Sequence, residues 1–71
     1  NKFDFIISAN VFFKSENDSR GDGNICEIEL SVPGPKAFAS SKEQNFELAA
    51  KNSIRDLTKQ LEKRKASFKN H

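Results

Sequence analysis

Seventy-one residues, 12 of them Lys or Arg and 10 Asp or Glu, allow one small domain (residues 1–71) with a net charge of +2. Leu, Ile, Val and Phe supply about a quarter of the chain, above the under-20% usage of disordered sequences, so it should fold, but around a small core. No apolar run suggests a membrane span, no leader pattern is seen, and one cysteine, Cys26, excludes an internal disulfide framework and fits a reducing, cytoplasmic compartment.

The first predicted element is a strand over 7–14. Ile7, Ala9, Val11 and Phe13 fall on one face, and Ser8, Asn10, Phe12 and Lys14 on the other. Phe12 on the polar face predicts either partial cover there or an uncovered apolar spot. Phe3, Phe5 and Ile6 precede the strand and either extend it or cap the core edge. Residues 15–24 hold only turn formers and charged side chains and predict a solvated loop. Counted from Asp18 as position one, this loop places Asp22, Gly23 and Glu29 at calcium-loop positions five, six and twelve, but Arg20 stands at position three, where an oxygen ligand belongs. No helix pattern flanks it, so the expectation is a plain connection without metal.

Residues 25–32 give the cleanest strand, with Cys26, Ile28, Leu30 and Val32 inward and Glu27 and Glu29 toward water. Pro33-Gly34-Pro35-Lys36 predicts a tight turn. A short third strand, residues 37–40, follows with Phe38 as its one large side chain. Consecutive short connections predict a three-stranded antiparallel meander. The rest reads as a helix over 46–68, with Asn45 as N-cap and Glu47 in the first turn. Phe46, Ala50, Ile54, Leu57, Leu61 and Phe68 form the expected apolar stripe, packed on one sheet face. The fold class is α+β, three strands and one C-terminal helix.

Charge is polarised along the chain: residues 46–71 carry +4 and residues 1–45 carry −2. Lys51, Arg55, Lys59 and Lys63 recur at i, i+4 and form a slowly precessing ridge, about 6 Å between steps, away from the stripe. Lys36 in the turn and Lys14 at a strand end could extend it. Such a ridge is either a rail for a polyanion such as a nucleic-acid backbone or the solvated face that any amphipathic helix needs. The stripe is needed for the core, which argues against a membrane-surface role.

Catalysis has no support. The sequence shows no paired-carboxylate motif, Gly-rich phosphate loop or Ser/His/Asp set, and the only histidine is the terminal His71. Cys26 reads as a small buried hydrophobe, and Glu27 with Glu29 as a solvating, edge-protecting pair. No cofactor and no small-molecule substrate are expected.

The run from Cys26 to Lys51, CEIELSVPGPKAFASSKEQNFELAAK, followed by IRDLTKQLEKRK over 54–65, resembles the ribosome hibernation promoting factor family, also called the ribosome-associated inhibitor or sigma-54 modulation protein family. The most specific part is the helix, where Leu57, Gln60, Leu61, Lys63 and Lys65 match a Leu-x-x-Gln-Leu-x-Lys-x-Lys ending. The segment ISANVFFK over 7–14 resembles the family's second strand. The resemblance implies a β-α-β-β-β-α fold with both helices on one face of a four-stranded sheet, of which this chain supplies the last three strands and the last helix. The chain contains no Met, and the joint expectation is a domain that is incomplete at its N-terminus. The resemblance further implies a non-enzymatic bacterial factor on the small ribosomal subunit and its rRNA, between head and body where tRNA and mRNA lie, that blocks translation during stress. It looks like the short form without a dimerisation domain. Carried over residue by residue, the RNA-binding positions are Lys51, Arg55, Lys59, Lys63 and Lys65, with Lys36 weaker.

Two alternatives stay open at this point. A double-stranded RNA-binding domain also ends β-β-β-α, and Ser41-Lys42-Glu43 with Ala50-Lys51-Asn52 faintly match its helix start, but its clustered lysines are missing. A non-catalytic protein-interaction fragment would use the uncovered sheet face.

Overall fold

The computed structural model describes residues 3–69; the side chain of Phe68, expected on the stripe, and all of His71 lie outside the described residues. Three strands, β1 (Ser8–Ser15), β2 (Asn24–Ser31) and β3 (Ala37–Glu43), precede one helix, α1 (Phe46–Lys69). The strands form an antiparallel sheet in the order β1-β2-β3. The meander is as expected, with β3 three residues longer at its end than the sequence suggests. Those added residues are Ser41, Lys42 and Glu43, held by pairing with Cys26, Ile25 and Asn24.

Register fixes which side chains share a face. Ala9, Leu30 and Ala37 align across the sheet, as do Val11, Ile28 and Ala39, and Phe13, Cys26 and Ser41. These rows form the helix side. On the opposite face lie the rows Asn10, Glu29, Phe38 and Phe12, Glu27, Ser40. There Phe12 is 49% exposed, half covered and half an open apolar spot. Ile25 is buried on this face, outside the main core, in register between Lys14 and Lys42, whose aliphatic stems can shield it.

The core joins Cys26, Ile28, Leu30, Val32, Ala37 and Ala39 of the sheet region to Ala49, Leu57 and Leu61 of α1. The residues of β3 that face α1 are small, and so are Ala49 and Ser53 on the helix, both fully buried. Small residues on both sides let backbone approach backbone, which seats α1 over β2 and β3. The Ser53 hydroxyl donates to the Cys26 carbonyl at 2.9 Å, so its burial leaves no polar atom unpaired. Gln60 Nε2 donates to the Phe38 carbonyl and Asn52 Nδ2 to Glu43, tying α1 to β3.

This seating corrects two expectations. The buried line on α1 is Ala49, Ser53, Leu57 and Leu61, rather than the full predicted stripe. Ala50 is only partly buried, Phe46 is 37% exposed, and Ile54 is 56% exposed. Phe46 instead meets the edge of the Phe13 ring, centroids 5.4 Å apart. The second correction concerns β1. All eight of its residues are exposed, including Val11 and Phe13 on the helix side, because α1 covers β2 and β3 and meets β1 at the Phe46–Phe13 contact without covering it. Phe3 does cap the core edge: it is buried, with Phe5 edge-on at 5.9 Å.

Both connections and the helix start have local causes. Asn45 caps α1, its Oδ1 accepting the Leu48 N–H at 2.8 Å, and Glu47 lies in the first turn, where the helix dipole favours an anion. Between β1 and β2, the Glu16 N–H bonds to the Gly23 carbonyl. A Cβ at Gly23 would sit 2.1 Å from the Glu16 carbonyl oxygen, so only glycine fits that approach. Gly34 in the second connection has φ of 88°, a conformation that side-chain-bearing residues avoid.

Asp18 organises the first loop. Its carboxylate accepts the Arg20 N–H at 2.8 Å and pairs with Lys42 at 3.4 Å, while Lys42 also pairs with Glu16 at 3.2 Å. The Arg20 amide foremost, and Lys42 after it, hold the Asp18 carboxyl below its ordinary value of 3.8. The partners of Lys42, Glu16 foremost, hold its ammonium above 10.5. A depressed carboxyl contributes order that is present above its ordinary value and lost as pH falls through the lowered one. Loop amides 20–23 should therefore lose hydrogen-exchange protection only below about pH 4, before the sheet and helix signals change. An Asp18→Asn variant should show the loosened loop already at neutral pH; identical protection in both would remove this clasp.

Candidate nucleic-acid interface

Lys51, Arg55, Lys59 and Lys63 are all exposed on α1, a helix of 24 residues. Each follows a buried residue by two positions: Ala49, Ser53, Leu57 and Leu61. Two steps of about 100° place each cation roughly 200° from its buried neighbour, diametrically outward. Both rows advance by four, so they precess together and the ridge stays outward along its whole length. Measured from Ala50 and Ile54 of the expected stripe, Lys51 and Arg55 would have stood only one step of about 100° away. The actual seating of α1 thus turns this first half of the ridge more squarely to solvent, while Lys59 and Lys63 stand two steps from Leu57 and Leu61 in either case.

Pairing separates these cations from the others. On the sheet side Lys14 pairs with Glu27 at 3.0 Å, Lys36 with Glu29 at 3.5 Å, and Lys42 with Glu16 and Asp18. None of the four ridge cations forms an ion pair among the described residues. Asp56, an acid on the same helix, makes none either among those residues. The ridge charge is therefore available to a partner, whereas the sheet-side charge is largely cancelled within the fold.

Two expected site residues lie apart from the ridge. Lys36 reaches Glu29, on the sheet face opposite α1. Lys65 is half-buried on the flank of α1, its ammonium 5.9 Å from the centre of the Phe3 ring. That contact gives Lys65 a packing role beside its charge.

One cation missed at the sequence level is Arg64. It is half-buried, and its Nη1 donates to the carbonyls of Pro33, at 3.4 Å, and Pro35. Arg64 thereby ties the turn between β2 and β3 to the helix. A signal for this was present: Arg64 lies three residues after Leu61 and seven after Leu57, on the buried row, and the two prolines nearby offer carbonyls.

No group of three or more His, Cys, Asp or Glu side chains able to hold a metal occurs among the described residues. Asp18 of the rejected calcium loop is engaged with Arg20 and Lys42. Cys26 is fully buried, as a small hydrophobe would be. No helix among the described residues is long and apolar enough to cross a membrane.

No curated protein and no solved structure gives a significant match to this chain. A family model does match, over residues 1–69. A basic helix clasped to a meander, and a family match spanning almost the whole sequence, lead to one conclusion: the chain belongs to the sigma 54 modulation protein / S30EA ribosomal protein family, a family of ribosome-associated modulation factors.

Proposed function

We propose that this chain binds the small ribosomal subunit where tRNA and mRNA lie, contacts its rRNA through Lys51, Arg55, Lys59 and Lys63, and holds the ribosome out of translation. The observation that carries the reading is the outward ridge of four cations without ion-pair partners among the described residues, beside sheet-side lysines that are all paired. Backbone phosphates then supply the affinity, and the fit of the domain in its groove supplies the specificity. Lys65 adds charge at the flank, and Lys36 contributes least because Glu29 already holds it. The family consists of ribosome-associated factors rather than enzymes, and no reaction is assigned. Cytoplasmic residence and a bacterial, stress-linked role belong to the same proposal.

The test is the salt dependence of ribosome binding. Neutralising about four phosphates makes log K fall against log salt with a slope of roughly −3 to −4. Binding that ignores salt would detach the ridge from the interaction. A free RNA duplex of about 16 base pairs should compete poorly with subunits; strong duplex binding would favour the double-stranded RNA-binding alternative.

The bare strand β1 favours a second reading. Val11, Phe12 and Phe13 are about half exposed on a long edge strand, a surface suited to pairing with another chain. The same bareness supports a domain incomplete at its N-terminus. A protein-binding fragment predicts concentration-dependent self-association in sedimentation, with little response to salt.

A further inference from the structure

At the end of the ridge, the turn between β2 and β3 and the last turns of α1 enclose an open cleft of about 510 Å³. Pro33 and Pro35 form one wall; Gln60, Lys63, Arg64 and Ser67 form the other. The size falls within the range of roughly 300–1,000 Å³ usual for ligand sites.

The lining chemistry selects for an anion. Two cations line the cleft and no carboxylate does. The turn carbonyls of Pro33 and Pro35 are already occupied by Arg64 Nη1. A guanidinium carries five N–H donors, and Nε and Nη2 of Arg64 make no hydrogen bond to another described residue. Clamped through one nitrogen, Arg64 keeps a planar fork for a second acceptor, the geometry that suits phosphate oxygens. Lys63 adds a point charge from the rim, and Ser67 a hydroxyl. The negative end of the helix dipole opposes an anion here, but it amounts to about half a charge against two full ones.

The geometry points to this cleft as a phosphate site that seats one backbone phosphate of the bound RNA, with Lys63 and Arg64 sharing it and the Pro33–Pro35 turn fixing the Arg64 fork. The assignment to RNA rests on the ribosome reading above; the phosphate chemistry does not. The cleft makes the turn part of the binding surface and gives the ridge a fixed end point, so the rail of charges acquires a register.

Two measurements on the full chain test it. In the first, inorganic phosphate is titrated at low and constant ionic strength while backbone amides are followed by NMR. Saturable shifts confined to residues 33–36 and 63–67 are expected, absent with chloride. Shifts spread along the whole ridge, or equal with chloride, would overturn the site. In the second, ribosome affinity is measured against salt for Lys63→Gln, Arg64→Gln and the double variant. Each single change should weaken binding about tenfold, as loss of one charge-assisted hydrogen bond implies, and leave the salt slope nearly unchanged, because the remaining cation still neutralises the shared phosphate. The double variant should make the slope shallower by about 0.7–0.9, since one phosphate contact is then lost. A slope change of twice that size would mean two separate phosphates and would refute the shared cleft. Because Arg64→Gln also frees the turn, Ser67→Asp serves as the variant that leaves the clamp intact. It should abolish the phosphate shifts and weaken ribosome binding about tenfold; an unchanged response would sink the proposal. Should the wild-type chain fail to bind ribosomes at any salt, the functional reading falls, and the phosphate titration still decides the cleft.

Discussion

Replacing Lys59 and Lys63 together by glutamate should abolish co-sedimentation with small ribosomal subunits while leaving the helix content unchanged. Both side chains are exposed and neither forms an ion pair among the described residues, so the fold loses no contact with them. Lysine and glutamate differ little in helix propensity. Each contact between an ammonium and a phosphate contributes about 1.5–3 kcal/mol, so losing two weakens binding by about a hundredfold or more. The introduced carboxylates add repulsion from the facing phosphates. Lys36→Glu is the control for a charge reversal away from the ridge. That ammonium lies against Glu29 on the far face of the sheet, and its reversal should cost far less binding. Normal pelleting of the double variant, or equal loss with the Lys36 control, would move the interface off the ridge.

Leu57→Ala or Leu61→Ala should each cost about 2–5 kcal/mol of stability, whereas Ile54→Ala should change it by no more than about 0.5 kcal/mol. Leu57 and Leu61 are 4% exposed within the one core cluster. Truncating either leaves a cavity between α1 and the sheet. A domain of this length has a total stability of roughly 4–10 kcal/mol, so either change is enough to approach unfolding. Ile54 is no smaller and no less apolar, yet it stands 56% exposed, and alanine there even improves helix propensity. Chemical denaturation followed by circular dichroism measures all three. If Ile54→Ala destabilised as much as Leu57→Ala, the helix would be seated on the expected stripe and the outward placement of the ridge would fail with it.

The two predictions are linked through one rotation. An i, i+4 row of cations is legible in the sequence, but which way it faces depends on which neighbouring row is buried. Apolarity alone selects the line of Phe46, Ala50 and Ile54, two of whose side chains are large. The sheet selects Ala49 and Ser53, because Ala37, Ala39 and Ser41 of β3 admit the helix backbone closely. A buried serine reads as polar until its acceptor is known, and the acceptor, the Cys26 carbonyl, lies 27 residues away in sequence.

The site divides in the same way. Lys51, Arg55, Lys59 and Lys63 were legible because their spacing is a local, helical property. Lys36 was drawn to the site by its sign, but its partner Glu29 is set by where the turn releases it. Arg64 was hidden among its neighbours Lys63 and Lys65, and only the fold brings it to the Pro33 and Pro35 carbonyls.

Local chemistry in the sequence determined the three strands, their antiparallel order, the Asn45 cap, the helix and the repeat of its charges, since each depends on near neighbours and short connections. Only the tertiary structure decided which helical line is buried, which cations are neutralised, and that β1 stays bare, since these depend on the sizes and charges of residues brought together from distant parts of the chain.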